Sequence, residues 1–174
     1  MAYFLSLWKN DTWKRKADLA LTGYPELDYA AAEGFSETNV GRGDTIFIVT
    51  NIKGTLYIGG SIVVESVVSL DDAAVCLGRP KESLWKSDGY VLARKGTIQK
   101  FIPNCEVPAS ITRQLQITKD KGFTYLKFTP NGKLDRQTLR TVRKLCDGSE
   151  LHLIKVMREW LDGSNDALKG KAAA

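Results

Sequence analysis

A chain of 174 residues, 43% apolar and 26% charged, can bury one core and has the composition of an ordinary globular domain, which excludes wholesale disorder. No apolar run approaches the roughly 20 residues of a membrane span, and MAYFLSLWKNDTW carries no basic segment ahead of a long apolar core, so the cytoplasm is the expected location. The 25 basic residues against 20 acidic ones, net +5, are compatible with a polyanionic partner but only placement can decide it.

Tyr3 to Trp8 alternates as a short strand, Lys9 to Lys16 reads as a polar loop carrying Trp13, and a helix is expected over Ala17 to Leu21. Gly23 to Asn39 is mixed, with the AAAE piece read as a helical turn or two. The strongest β signal follows: Thr45 to Thr50 and Thr55 to Val68, joined by Asn-Ile-Lys-Gly, predict a hairpin in which Asn51 and Gly54 tolerate positive φ. GRGD before it reads as the turn that enters the strand. Leu70 to Leu77 predicts a short helix with Asp71 and Asp72 near its start, and GRPKES a loop. Tyr90 to Arg94, Thr97 to Pro103 and Thr124 to Thr129 read as strands, while Ile111 to Ile117 is ambiguous. Leu134 to Leu145 and Leu151 to Leu161 predict amphipathic helices, the second with Leu153, Ile154, Met157, Trp160 and Leu161 on one face. Many short strands with helices at the end describe one α+β domain over residues 1–162 whose sheet curls toward a barrel. GSNDALKGKAAA reads as a flexible tail over 163–174 with a cloning-derived end.

The three cysteines, Cys76, Cys105 and Cys146, are odd in number with no CxxC pair and read as buried reduced thiols. His152 is the single histidine and sits in the C-terminal helix, so neither a nucleophilic triad nor a zinc site has its parts. No phosphate-binding GxxxxGK[ST] or GxGxxG is present. Asp71 and Asp72 read as helix-start acids. No motif supports catalysis, and no metal or cofactor is expected.

Trp8, Trp13 and Trp85 lie in SLWKNDTWKRK and KESLWKSDG, lysine-rich segments where an indole can stack on a base while Lys9, Lys14, Arg15 and Lys86 meet phosphates. The competing reading folds each indole back as a plug for the core. In LDRQTLRTVRKL, Arg136, Arg140, Arg143 and Lys144 share a face at helical spacing, opposite Leu134, Leu139, Val142 and Leu145; the stripe could follow phosphates or simply face water. Gly59 and Gly60, inside a strand, mark either a close approach by a base or a bulge.

Over residues 3 to 146 the order of these features resembles the PUA-like superfamily, within it the EVE and YTH domains that read modified nucleobases. YFLSLWKNDTW is similar to the opening strand and polar turn, NVGRGDTIFIVTNIKGTLYIGGSIVVES to the hairpin with small residues in its second strand, SLWKSDGYVLARKGTIQKFIPN to the tryptophan loop before paired strands, and KLDRQTLRTVRKL to the closing helix. The resemblance implies a small curled β-barrel with flanking helices holding one flipped base in an aromatic cage. By position it carries Ser6, Leu7 and Trp8, then Thr50, Asn51 and Lys53, then Trp85. Two cage candidates follow the first strand, Trp8 and Trp13, and the spacing to Trp85 is loose, which favours the broader EVE/YTH-like assignment over a strict YTH one.

The leading expectation is therefore a non-catalytic reader of a methylated base, adenine or cytosine, in DNA before RNA, serving an effector nuclease or NTPase as the recognition part of a modification-dependent restriction system. The alternative is a PUA-like RNA-binding module without that selectivity. A third reading is a small RNA-processing enzyme on the same barrel.

Overall fold

The computed structural model describes residues 1–35 and 37–173, with side chains as far as Ser164. The first strand, β1 (Tyr3–Leu7), enters the middle of the sheet, and helix α1 (Asn10–Leu21) follows almost at once. The segment expected as a polar loop is thus helical, and Trp13 and Lys16 are its buried residues. They form a stripe with half-buried Ala17 and Ala20 at helical spacing, and a lysine in that stripe hides the pattern from a count of apolar residues.

Strands β2 (Glu26–Leu27) and β3 (Tyr29–Ala31) come next, so the alanine-rich piece expected as helix is extended instead, with Ala30 fully buried. Pairing with a neighbouring strand overrides the helix preference of alanine.

The predicted hairpin is present as β4 (Thr45–Ile52) and β5 (Thr55–Val68). Its turn is Lys53–Gly54, both at positive φ (52° and 86°), the geometry of a tight two-residue hairpin loop. Lys53, and not Asn51, takes the left-handed position. Asn51 stays in the strand: its Oδ1 accepts from the Gly54 N–H (2.9 Å) and its Nδ2 donates to the Leu134 carbonyl (3.0 Å). Before β4, both Asp44 carboxylate oxygens accept backbone N–H groups, from Ala2 and Gly41, and fix GRGD as a turn.

Helix α2 (Leu70–Leu77) matches its expected bounds and is capped by the Ser69 hydroxyl, which accepts from the Asp72 N–H. The chain continues through β6 (Tyr90–Ala93), β7 (Gln99–Lys100), β8 (Cys105–Glu106), the short helix α3 (Ala109–Thr112) and the hairpin β9 (Gln116–Thr118) and β10 (Phe123–Tyr125).

Residues 134–145 do not form the expected basic helix. Asp135 caps a 3₁₀ turn over Arg136–Leu139, and β11 (Arg143–Lys144) then pairs antiparallel with the edge of β1. The helical reading puts four apolar residues on one face. They are divided in the fold: Leu134, Leu139 and Leu145 enter one core cluster and Val142 the other.

Helix α4 (Ser149–Ala173) closes the fold. It buries Leu153, Val156 and Met157 and packs Ile154 and Trp160 against them, while Leu161 is 43% exposed. It runs past residue 162, where the domain was expected to end. Among the described residues no helix is long and apolar enough to cross a membrane.

The sheet order is β11-β1-β4-β5-β6-β3, with β1–β4 parallel and β8 beside the first part of β5. The molecule is α+β, but the barrel expected from the sequence is not closed, because β11 and β3 end the path without pairing to each other. Both faces are covered, which is why the strands read as continuous apolar runs. One core holds Leu5, Phe47, Val49 and Ile58 with α4, and the other holds Phe4, Ile46, Ile48 and Ile62 with Trp8, Trp13 and Phe101.

Ile58 and Ile62 have the same sequence parity yet face opposite cores. Ile48 pairs with Gly60 and Val49 with Ile58, so Gly59 is an extra residue, a β-bulge that switches the inward-facing set. A Cβ on Gly59 would lie 2.5 Å from Phe101 Cε2 and 2.8 Å from Trp13 Cη2, and Gly60 has φ +135° with Leu27 against it. The glycines serve a bulge, and what approaches them is the protein's own aromatic side chains.

Of the three thiols expected to be buried, Cys105 is buried, Cys146 half-buried and Cys76 exposed. Cys76 lies on α2, whose buried residues are Ala73 and Ala74.

Candidate nucleic-acid interface

Where β1 runs out, an open cleft of about 520 Å³ lies between Ser6–Lys9, the outer turns of α1 (Thr12, Arg15), the segment after β3 (Ala31–Glu33), the loop Glu82–Ser87 and Arg140–Val142. That volume falls in the range of pockets for small ligands, roughly 300–1,000 Å³. The tryptophan loop is held from below by two tyrosines. The Tyr29 hydroxyl accepts from the Trp85 N–H (3.3 Å), and the Tyr90 hydroxyl donates to the Trp85 carbonyl and accepts from the Ser87 N–H (3.2 Å). Burial pushes the Tyr29 hydroxyl up to about 12, so it stays protonated near neutrality. Trp85 itself is half-buried, and the Arg15 guanidinium lies 4.5 Å over its ring.

Three residues that line this cleft each carry a buried polar atom with no hydrogen-bond partner among the described residues: Ser6 Oγ, Trp8 Nε1 and Ser87 Oγ. Most buried polar groups are paired, and leaving one unpaired costs about 1–3 kcal/mol, so three around one cleft is a functional signal. Their chemistry is complementary: an indole N–H can only donate, whereas a hydroxyl both donates and accepts.

A second cavity of about 240 Å³ shares Trp8, Ser83 and Trp85 with the cleft. Lys16 lies at its wall, its Nζ donating to the Tyr24 (3.2 Å) and Glu26 (2.7 Å) carbonyls and lying 3.8 Å over the Tyr24 ring. Burial lowers Lys16 to about 8, against the opposing pull of Asp28. Asp28 in turn accepts from the Tyr24 hydroxyl and pairs with Arg79. Burial and the Asp28 carboxylate both push the Tyr24 hydroxyl up.

Of the residues expected from sequence, the cleft collects Ser6, Leu7, Trp8, Lys9, Arg15, Trp85, Lys86 and Arg140. Trp13 is not among them. It is 4% exposed, its Nε1 donates to the Pro103 carbonyl (3.2 Å), and its ring meets Phe101 edge-to-face at 4.8 Å, so it plugs the core. Trp8 is equally buried and stacks on Phe101 at 6.0 Å, but it also lines the cleft, and its N–H has no partner among the described residues. Thr50 is a positioning residue: its hydroxyl donates to the Trp8 carbonyl (2.8 Å). Thr50, Asn51 and Arg136 line a separate depression of about 290 Å³ that shares Leu7, Trp8 and Lys9 with the cleft. Asn51 is thus not at the rim of the Trp8–Trp85 cleft.

Lys53 is exposed at the hairpin tip and Lys14 on the outer side of α1. Arg143 pairs opposite Leu5, on the face away from Ser6, and Lys144 opposite Phe4, on the face of Ser6. The single basic stripe does not exist, because its residues lie on a 3₁₀ turn and a strand. Thr12, Ser87 and the two tyrosine supports were missed from sequence; Ser87, two positions from Trp85 in a loop, carried the one visible signal.

No protein-family model matches the chain, and no curated protein or solved structure shows significant similarity to it.

Proposed function

We propose that the chain is a non-catalytic nucleic-acid reader that receives one flipped, methylated base in the cleft between Trp8 and Trp85. The observation that carries this reading is that Ser6, Trp8 and Ser87, each with an unpaired buried polar atom (Oγ, Nε1 and Oγ), line one cleft together with the Trp85 indole. Arg15 covers the Trp85 ring and is itself exposed, so it can exchange the ring for a phosphate and leave the indole face to a base. Stacking on that face contributes about 1–3 kcal/mol for any base. Selectivity must then come from the edge, where the Trp8 N–H requires an acceptor such as a ring nitrogen or carbonyl and the two serine hydroxyls adapt to either partner. Leu7, Ala31, Ala32 and Val142 supply apolar surface for a methyl group. Lys9, Arg15, Lys86 and Arg140 outnumber the two rim carboxylates, Glu33 and Glu82, which suits a phosphate backbone.

The resemblance to EVE and YTH domains supports the same reading, with DNA as the expected carrier and catalysis left to an effector nuclease or NTPase. Extrusion of a base from a duplex costs a few kcal/mol, which stacking and edge hydrogen bonds offset. The test is a pair of titrations with oligonucleotides that differ by one methyl group, run for adenine and cytosine in DNA and in RNA. Preference for one methylated strand supports the reading. Equal affinity for every strand of a pair makes the chain a plain nucleic-acid module, and binding to none overturns the proposal.

A further inference from the structure

We propose that the β9–β10 hairpin is a second nucleic-acid contact, a stacking platform for single-stranded nucleotides that flank the occupant of the cleft. Phe123 and Tyr125 are 52% and 49% exposed, large aromatic rings where a surface strand normally carries polar residues. They meet edge-to-face at 5.6 Å, and Gln116 Nε2 donates to the Tyr125 hydroxyl (3.0 Å), so the pair is held in place.

The register places the rings on the cleft side of the sheet. Residues directly opposite in an antiparallel pair share a face, and positions two apart in a strand share it too. Phe4 pairs with Lys144, so Lys144 lies on the face of Phe4 and Ser6. Ile117 bridges to Leu145, which puts the neighbouring Thr118 on the Lys144 side, and the Thr118 hydroxyl donates to the Lys144 carbonyl (3.4 Å). Thr118 pairs with Phe123, and Tyr125 shares the face of Phe123. Strand β9 is antiparallel to β11 and β11 to β1, so β9 runs in the direction of β1 and the hairpin tip points toward the cleft end. The aromatic pair, Lys144 and Ser6 of the cleft thus lie on one face.

The charge on this surface selects the occupant. Lys119 and Lys121 flank the tip and Lys127 follows the rings, with Asp120 the one acid among them. Aromatic rings interleaved with lysines bind single-stranded nucleic acid without sequence preference, because every base has a face to stack and every linkage a phosphate.

The platform does not need the modified base, which separates its test from that of the cleft on which its flanking role rests. The probe is a labelled, unmodified oligo(dT) of about 20 nucleotides, enough to span a stacking surface of this kind. Phe123→Ala/Tyr125→Ala should bind it at least about tenfold more weakly than the unaltered protein, from the loss of two stacking rings. Phe123→Leu/Tyr125→Leu, which keeps apolar bulk without the rings, should do the same at an unchanged melting temperature. Trp85→Ala should lose the preference for a methylated strand, whereas the two hairpin variants, which leave the cleft intact, should keep it. Aromatic-hairpin variants that bind oligo(dT) as the unaltered protein does, or an unaltered protein that does not bind it, would overturn the platform. A hairpin effect without any methyl preference would overturn the base-reading proposal and leave the platform standing.

Discussion

A single methyl group at Gly59 should unsettle both core and cleft. The added Cβ meets Phe101 Cε2 at 2.5 Å and Trp13 Cη2 at 2.8 Å, both inside ordinary contact distance. Neither ring can withdraw easily, since each is 4% exposed, they pack on each other, and Phe101 also stacks on Trp8. Overpacking of this kind costs about 1–3 kcal/mol. In a chain of this size that lowers the melting temperature by roughly 2–4 °C per kcal/mol. Gly41→Ala is the matched control, because the nearest atom to its added Cβ is 4.0 Å away and its backbone is not left-handed; its effect should stay within about 0.5 kcal/mol. Urea unfolding of the two variants, with unchanged m-values, measures the difference. Gly59→Ala as stable as Gly41→Ala would refute the claim that the bulge glycine exists to admit the aromatic cluster.

Trp13→Ala should cost about 3–5 kcal/mol of stability as a buried large-to-small change, whereas Trp85→Ala should cost no more than about 1 kcal/mol, chiefly its stacking with Arg15; thermal melts of the pair distinguish plug from wall. Asn51→Ala should cost about 2–4 kcal/mol in denaturant unfolding, because it strands the Leu134 carbonyl and the Gly54 N–H. Lys16, lowered by burial to about 8 from 10.5, binds fewer protons folded than unfolded between those values. Its contribution to stability therefore rises as pH climbs from about 8 to 10.5. The stability difference between the protein and Lys16→Met should shift in the protein's favour across that window, and parallel pH profiles would contradict it.

Local signals carried much of the fold. The β4–β5 hairpin and α2 were legible because a turn glycine, a capping serine and apolar runs all lie within a few residues of the elements they define. Two long-range effects were not. Lys16 is buried in the inner stripe of α1, where two backbone carbonyls accept from it, so a helix face looked like a polar loop. The 134–145 segment has helical spacing by coincidence, and the open edge of β1, invisible in local sequence, draws it into a strand. In the site, Trp8 and Trp85 were legible as indoles in lysine-rich segments, and Ser6 entered through the resemblance. An indole among lysines reads alike whether it faces in or out, and it is long-range packing, against Phe101 and Gly59, that shows Trp13 faces in.

The central claim concerns one unpaired N–H, and the indole resonances report on it directly. The chain has four tryptophans, hence four indole N–H signals, in a ¹⁵N-labelled protein titrated with oligonucleotides carrying the methylated base or its unmodified counterpart. The account predicts that the Trp8 signal moves downfield as its N–H gains an acceptor, and that the Trp85 signal shifts with it. Trp13, already bonded to the Pro103 carbonyl, and Trp160, packed on the other core, should stay in place. The methylated strand should produce the change at the lower concentration. A Trp8 signal that does not move at saturation with any of these strands, or that moves no more than that of Trp13, would contradict the account.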